Sequence, residues 1–442
     1  MATLQPRPCL PPLMASTHHR PSPPDLAAVR FWMRMLISRS TTDEPAERRG
    51  KGFYRMSKKR SEKRRQCVFC GQPATEKNRE HILPQWLLEL TGDPSRVVTM
   101  AINPQSGEQI KFAWSALVMP ACQACNEKYG KLEEAVKPIV LSLLDRKPMT
   151  SRQAFVLLDW LDKVRICLWL NQTILQGNIE TINPHLYVDN RIGKKDRLLY
   201  LYTLDGKGKG LNAFGIESLI FQHQPSCFAL RVNDVILFNA SSDYAFSRGC
   251  GFWHPERIER QIDGEFAGHL RFIGCAMTRE IAHPLFDYSL LKAPLRIVQS
   301  IAQQGLDGEF FGPLRQNESY HLIHMSDRSR GAGIVFRQLD DEVLPMFDPD
   351  APMDLEEVDP FNNGNAGDIV AQVYRFQTHL FQSAEIVGSD AAIAHAKSMS
   401  NMLATANEMR AVLVETGRAS DEGQDYTARA FRDAMAAAKR SS

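Results

Sequence analysis

Cys67-Val68-Phe69-Cys70, Glu80-His81-Ile82-Leu83-Pro84 and Cys122-Gln123-Ala124-Cys125-Asn126 are the three stretches on which the reading of this chain turns. Two thiolates separated by two residues can grip one side of a tetrahedral Zn²⁺. Two such pairs therefore supply four ligands and leave no open position, as structural zinc sites require. Between the pairs sit a carboxylate and an imidazole, the raw material for metal-assisted hydrolysis. A neutral imidazole near its reference pKa can take a proton from water at neutral pH. Glu80 beside His81 lets one side chain hold a cation while its neighbour addresses the water. Asn126 offers a neutral oxygen, which suits a hard ion that keeps several waters.

Working outward, Glu80–Pro84 should leave a strand at the proline, and Gln85–Leu90 can make an amphipathic turn. Val97–Ile102 and Glu108–Trp114 flank the turn-rich Asn103-Pro104-Gln105-Ser106-Gly107 and read as a hairpin. Asn126 to Leu144 is helical in pattern. Thr150 or Ser151 then caps a longer helix running to about Gln176, with Phe155, Leu158, Leu161 and Ile166 near helical spacing. Asp159, Asp162, Lys163 and Arg165 interrupt its apolar run, so it reads as a buried helix rather than a membrane span. Strands are expected at Leu198–Tyr202, Ser218–Gln222, Cys227–Val232, Val235–Asn239 and Leu270–Ala276, and a helix at Leu285–Gln303. Helices are expected again at Asp368–Val387, Asp390–Thr416 and Tyr426–Lys439. Trp86, Trp114 and Trp169 are assigned to cores.

The 442 residues exceed one ordinary domain, and 43% hydrophobic with 24% charged residues is the balance of a globular chain with a real core. The net charge of +2 hides an asymmetry: residues 1–66 hold 15 Lys/Arg against 5 Asp/Glu. Residues 1–55 read as a disordered extension or a mis-assigned start, since Met56 opens Met-Ser-Lys-Lys-Arg; their Arg content weakly resembles an organelle transit peptide. Residues 56–66 form a basic arm in which Lys58, Lys59, Arg60, Lys63, Arg64 and Arg65 can meet phosphates or form a solvated tail. Residues 67–145 make the cysteine-bearing module, and 146–339 an α/β accessory region. Residues 340–368 hold ten acidic residues and no Lys or Arg, which reads as a linker or loop, and 369–442 form a helical C-terminal region. Nine cysteines, four of them in knuckles, fit metal binding in a reducing, cytoplasmic setting better than a disulfide framework. Cys9, Cys167, Cys227, Cys250 and Cys275 read as buried inert thiols. No membrane partner is expected.

Cys-x-x-Cys, an acidic-His-Ile-x-Pro segment and Cys-x-x-Cys-Asn together resemble the zinc-knuckle branch of the HNH endonucleases, over about residues 67–131. The resemblance implies a ββα-metal nuclease module, and with the helices, mostly antiparallel sheet and helical C-terminus read from the pattern of the remaining residues the expected class is α+β. It implies that His81 is the general base and that Glu80 and Asn126 hold a catalytic Mg²⁺ or Mn²⁺. Cys67, Cys70, Cys122 and Cys125 would bind the structural Zn²⁺. The implied activity is metal-dependent hydrolysis of phosphodiesters, with DNA the default partner and RNA also open. Lys128 and Lys131, three residues apart on the helix after the second pair, can meet phosphates beside the basic arm or stay solvated.

Three departures bear on this. Glu80 stands where aspartate is commoner, 40 residues separate His81 from Cys122, and the later histidine of many members is absent. Asn126 can also cap the helix that follows it. The whole motif can also serve a non-catalytic zinc-knuckle protein that binds nucleic acid or regulates. A pure binding module, however, has no need of Glu80, His81 and Asn126 together.

Overall fold

The computed structural model describes residues 66–74, 79–102, 109–175, 187–204, 208–261, 269–271, 277–281, 290–301, 335–340, 342–346, 348–358 and 366–417. The expected extension, the basic arm, Cys9, Cys275 and the helix expected at Tyr426–Lys439 lie outside them. Chain order begins with β1 (Arg79–His81), α1 (Gln85–Leu90), β2 (Val97–Ile102), β3 (Gln109–Ala113), β4 (Val118–Pro120) and α2 (Gln123–Leu144). β1 pairs antiparallel with β4 in the register Arg79↔Pro120, Glu80↔Met119 and His81↔Val118. The predicted hairpin is β2–β3, which shifts register between Thr99 and Ala101 and accounts for the long interval before Cys122.

After β5 (Met149–Thr150) comes α3 (Ser151–Leu175). Its start has a reciprocal cap: the Thr150 backbone N–H donates to the Gln153 side chain at 2.9 Å, and the Gln153 N–H donates to Thr150 Oγ1 at 3.2 Å. A helix apolar on every side must be covered on every side. Trp160, Leu161, Val164 and Leu168 are fully buried, as are or nearly are Asp162, Lys163 and Arg165.

The main sheet is built from β6 (Asp196–Thr203), β7 (Leu211–Phe214), β8 (Cys227–Val232) and β9 (Val235–Ser242), with α4 (Leu219–His223) between β7 and β8. Then follow α5 (Ala245–Cys250) and the short strands β10 (His254–Pro255), β11 (Glu259–Gln261), β12 (His269–Arg271) and β13 (Met277–Thr278). β14 (Leu295–Gln299), β15 (Val335–Leu339) and β16 (Glu342–Pro345) complete the sheet, in the order β16-β15-β14-β6-β9-β8-β7. All its pairings are antiparallel. β17 (Pro352–Met353) pairs with β5, and α6 (Ala366–Gln382), β18 (Glu385–Val387) and α7 (Asp390–Glu415) close the described chain.

Strand periodicity sorts the core. Leu199, Leu201 and Leu237 belong to one cluster, shared with α3 and with Cys67, Phe69, Ile82 and Leu87 of the metal end. Leu198, Tyr200, Ile236 and Phe238, one residue out of step, join Phe376 and Leu380 of α6 on the other face. A single apolar core thus runs from the cysteine pairs through α3 to the sheet, across the boundary expected at residue 145.

Two predicted elements are corrected. The strand expected at Ser218–Gln222 is helix α4, because Ser218 Oγ accepts from the Phe221 N–H at 3.0 Å and starts a turn. Within the helix expected at Leu285–Gln303, Leu295–Gln299 is strand β14, whose buried residues pair with β6. The acidic stretch is not all loop either: β16 extends the sheet edge, with Pro345 at its end, where no ladder N–H is needed. Among the described residues, no helix is long and apolar enough to cross a membrane.

Asp196, at the start of β6, is fully buried and accepts from the Ser247 N–H, Ser247 Oγ and the Ile301 N–H. Burial, working against these donors, pushes its carboxyl up to about 7. A carboxyl raised in the folded state binds its proton more tightly than in the unfolded chain. Its contribution is therefore complete below pH ~4 and is lost as pH rises toward 7. Asp196→Asn should lower stability outright, because an amide NH₂ meets a donor, yet flatten the slope between pH 4 and 7. Urea melts of both proteins across that range measure it, and parallel slopes would count against the assignment.

Candidate metal centre

The first cysteine pair sits on a tight turn. The Cys67 N–H donates to Gln72 O at 2.8 Å and the Gly71 N–H to Cys67 O at 2.9 Å. Gly71 has φ +75°, and a Cβ there would lie 2.7 Å from the Tyr187 ring, so both backbone and space require glycine. The second pair opens α2, with Cys122 as N-cap and Cys125 in the first turn. Asn126 is therefore not the cap. A main-chain bond from Val68 N–H to Pro120 O at 3.0 Å joins the first turn to the strand before the second pair, and Asp189 N–H donates to Phe69 O at 3.0 Å from the segment after α3. Phe69 stacks on Tyr129 at 4.2 Å between centroids.

The four sulfurs of Cys67, Cys70, Cys122 and Cys125 lie within 4.8 Å of one another, and those of Cys70 and Cys122 are 3.9 Å apart. Zinc–sulfur bonds of ~2.3 Å at tetrahedral angles place sulfurs about 3.8 Å apart, so the cage has the size and donor set for zinc. The Cys125 N–H donates to the Cys122 sulfur and draws that thiol down. Burial raises Cys70, and raises Cys125 further, with its cysteine neighbours adding to the effect. Four thiolates this close require a cation between them. Cys167 and Cys227 are buried as expected, and Cys250 is partly buried.

β1 turns Glu80 and His81 to opposite sides, as successive strand residues must be. Glu80 faces α3, where its Oε1 accepts from Lys163 Nζ at 2.8 Å; the side chain of Lys163 is 0% exposed and that of Glu80 11%. Lys163 also pairs with Glu133 on α2 and reaches His81 O at 3.4 Å. One ammonium thus bridges two carboxylates. Burial, opposed by Lys163 and reinforced by Glu80, pushes Glu133 up to about 7. Burial alone would lower Lys163, but Glu133 and Glu80 hold it above its ordinary value. Glu80 therefore meets a cation supplied by the chain itself through Oε1, and its Oε2 has no hydrogen bond among the described residues.

His81 Nδ1 and Asn126 Oδ1 are both buried without a hydrogen-bond partner among the described residues. Each such atom costs about 1–3 kcal/mol unless a water or ion reaches it. Lys131 is exposed, while Lys128 forms an ion pair with Asp189 at 2.8 Å and remains 58% exposed. Trp114 and Trp169 are core residues, and Trp86 packs against the core.

Lys163 and Glu133 were not among the expected site residues. The signal for Lys163 was present, because a lysine in the middle of an apolar helix must find carboxylates. Glu133 falls seven residues after Asn126, on the same helix face. Lys163→Met should cost about 3–5 kcal/mol, the usual penalty for leaving buried charge unpaired. Adding Glu133→Gln should recover part of it, and denaturant titration of both variants is the measurement. Comparison with protein-family models, curated proteins and solved structures finds no match to this chain.

Proposed function

We propose that this chain is a metal-dependent endonuclease of the HNH, ββα-metal type, hydrolysing phosphodiesters of nucleic acid, with DNA the leading substrate. One observation carries the reading: β1, β4 and α2 set Glu80-His81 and Asn126 on a frame held by four clustered cysteines, with His81 Nδ1 and Asn126 Oδ1 left unpaired. Cys67, Cys70, Cys122 and Cys125 hold a structural Zn²⁺. Glu80, through Oε2, and Asn126, through Oδ1, would hold Mg²⁺ or Mn²⁺, which supplies charge stabilisation to the phosphoryl and leaving oxygens.

His81 takes the proton from the attacking water. The β1–β4 pairing sets the backbone that carries the imidazole, and a general base must come within hydrogen-bond reach of that proton. Lys163 orients Glu80 and moderates its charge. Lys131 and the arm residues Lys58, Lys59, Arg60, Lys63, Arg64 and Arg65 contact phosphates, which position the duplex without reading its sequence. Lys128 joins them on release from Asp189.

The bridging of Glu80 by Lys163 favours a second reading, a zinc-knuckle protein that binds nucleic acid without cutting it. The deciding experiment incubates zinc-loaded full-length protein with supercoiled plasmid and with RNA, in Mg²⁺ or Mn²⁺. Nicking that stops with EDTA and is absent from His81→Ala supports the nuclease. Binding with no cleavage above that of His81→Ala establishes the second reading.

A further inference from the structure

On the side of α3 away from the cysteine cluster lies a small cleft. Arg165 is two residues beyond Lys163, about 200° around the helix, so the two cations serve opposite faces. The cleft is lined by Arg165, Arg191, Lys195, Gln224, Ser226 and Ser241, with Ile166 and Pro225, and has a volume of about 20 Å³. That exceeds the ~10–15 Å³ a single water needs, and suits one small polyatomic group rather than a nucleobase.

Three cations meet here with incomplete neutralisation. Lys195 is paired with Asp243, and Arg165 with Asp162 and Asn239. Asp162 is shared with Arg197. The Arg191 guanidinium has no hydrogen-bond partner among the described residues and lies over the Trp169 ring at 4.9 Å. Stacking fixes its plane without using its donors. Arg165 Nε and Ser226 Oγ are also buried without partners, both residues being 2% exposed. Unsatisfied donors beside a guanidinium that Asp243 and Asp162 influence only through space form a site open to an acceptor with negative charge.

We propose that this cleft binds a phosphoryl group, taking its oxygens on Arg191, Arg165 and Ser226 with Lys195 supplying charge. Burial draws Lys195 and Arg191 down, Asp243 opposes it at both, and Arg165 adds to it; an anion would relieve the remainder. The site is independent of the nuclease reading, since none of its residues touches the cysteine cluster, His81 or Asn126. Two sources share this chemistry, inorganic phosphate and the terminal phosphate of a nucleotide.

The test uses zinc-loaded full-length protein without Mg²⁺ or Mn²⁺, at fixed pH and matched ionic strength. Thermal melts and calorimetric titrations are run with inorganic phosphate, a nucleoside 5′-monophosphate, and acetate or chloride as controls. Phosphate should raise the Tm in a saturable way, by linkage to the folded state, while acetate and chloride should not. Arg191→Met and Ser226→Ala should each weaken phosphate binding at least tenfold. The Tm of Arg191→Met without ligand should stay equal or rise, because an uncompensated cation has been removed; a purely structural Arg191 would make it fall. A nucleotide binding at least tenfold more tightly than phosphate marks the cleft as one end of a larger site, whereas equal affinities mark it as a site for free phosphate. A phosphate response no greater than that of chloride, or one unchanged in both variants, overturns the proposal.

Discussion

Cys122→Ser should melt the metal end of this protein rather than slow a folded enzyme. Structural zinc sites contribute ~10–16 kcal/mol of apparent binding free energy in isolated peptides, comparable with the ~5–15 kcal/mol total stability of a typical domain. Here the cage also fixes the N-cap of α2 and the turn before Val68, whose N–H is bonded to Pro120. Zinc per chain by mass spectrometry should fall from one toward zero, and far-UV circular dichroism should show lost helix. Because the core is shared with α3, the midpoint for the whole chain should drop as well. Full zinc occupancy and an unchanged melt in Cys122→Ser would remove the structural role.

His81→Ala should remove cleavage by ~10²–10⁴-fold, the usual contribution of a general base, while affinity for Mn²⁺ stays within a few-fold of the parent. Glu80→Ala and Asn126→Ala should instead weaken Mn²⁺ binding, with part of the rate returning at high metal. Glu80→Ala also leaves Lys163 paired with Glu133 alone, so its melt must be measured beside its kinetics. The imidazole and its two companions are separated by the metal dependence of the loss. A His81→Ala rate near that of the parent would assign the base elsewhere.

Legibility from sequence followed the range of the interaction concerned. Knuckles, caps and turns are local, so the cysteine cage, the β2–β3 hairpin, α2 and α3 could all be read within a few residues of their observed bounds. Ser218–Gln222 failed because a short apolar run has no period of its own, and one serine hydroxyl decided for helix. Leu295–Gln299 failed because its strand character depends on β6, about a hundred residues earlier. The site showed the same division. Cys67, Cys70, Glu80, His81, Cys122, Cys125 and Asn126 announce themselves by spacing, whereas Glu133 acquires its role only when α3 brings Lys163 beside it.

The burial of α3 sets an order of events during synthesis. The metal-binding segment leaves the ribosome before the helix that covers it, and the sheet that covers the helix follows later still. At ~5–20 residues per second, the stretch from Cys125 to Ser242 takes on the order of ten seconds. In the first part of that interval, before α3 emerges, Ile82 and Leu87 lack its cover and Glu80 and Glu133 lack the Lys163 cation. Metal capture by the four cysteines, like the β1–β4 and β2–β3 pairings, needs none of the later chain. Nascent chains arrested when Asp145 has just cleared the ribosome should therefore take up zinc yet remain open to protease, and gain protection only once β9 has emerged.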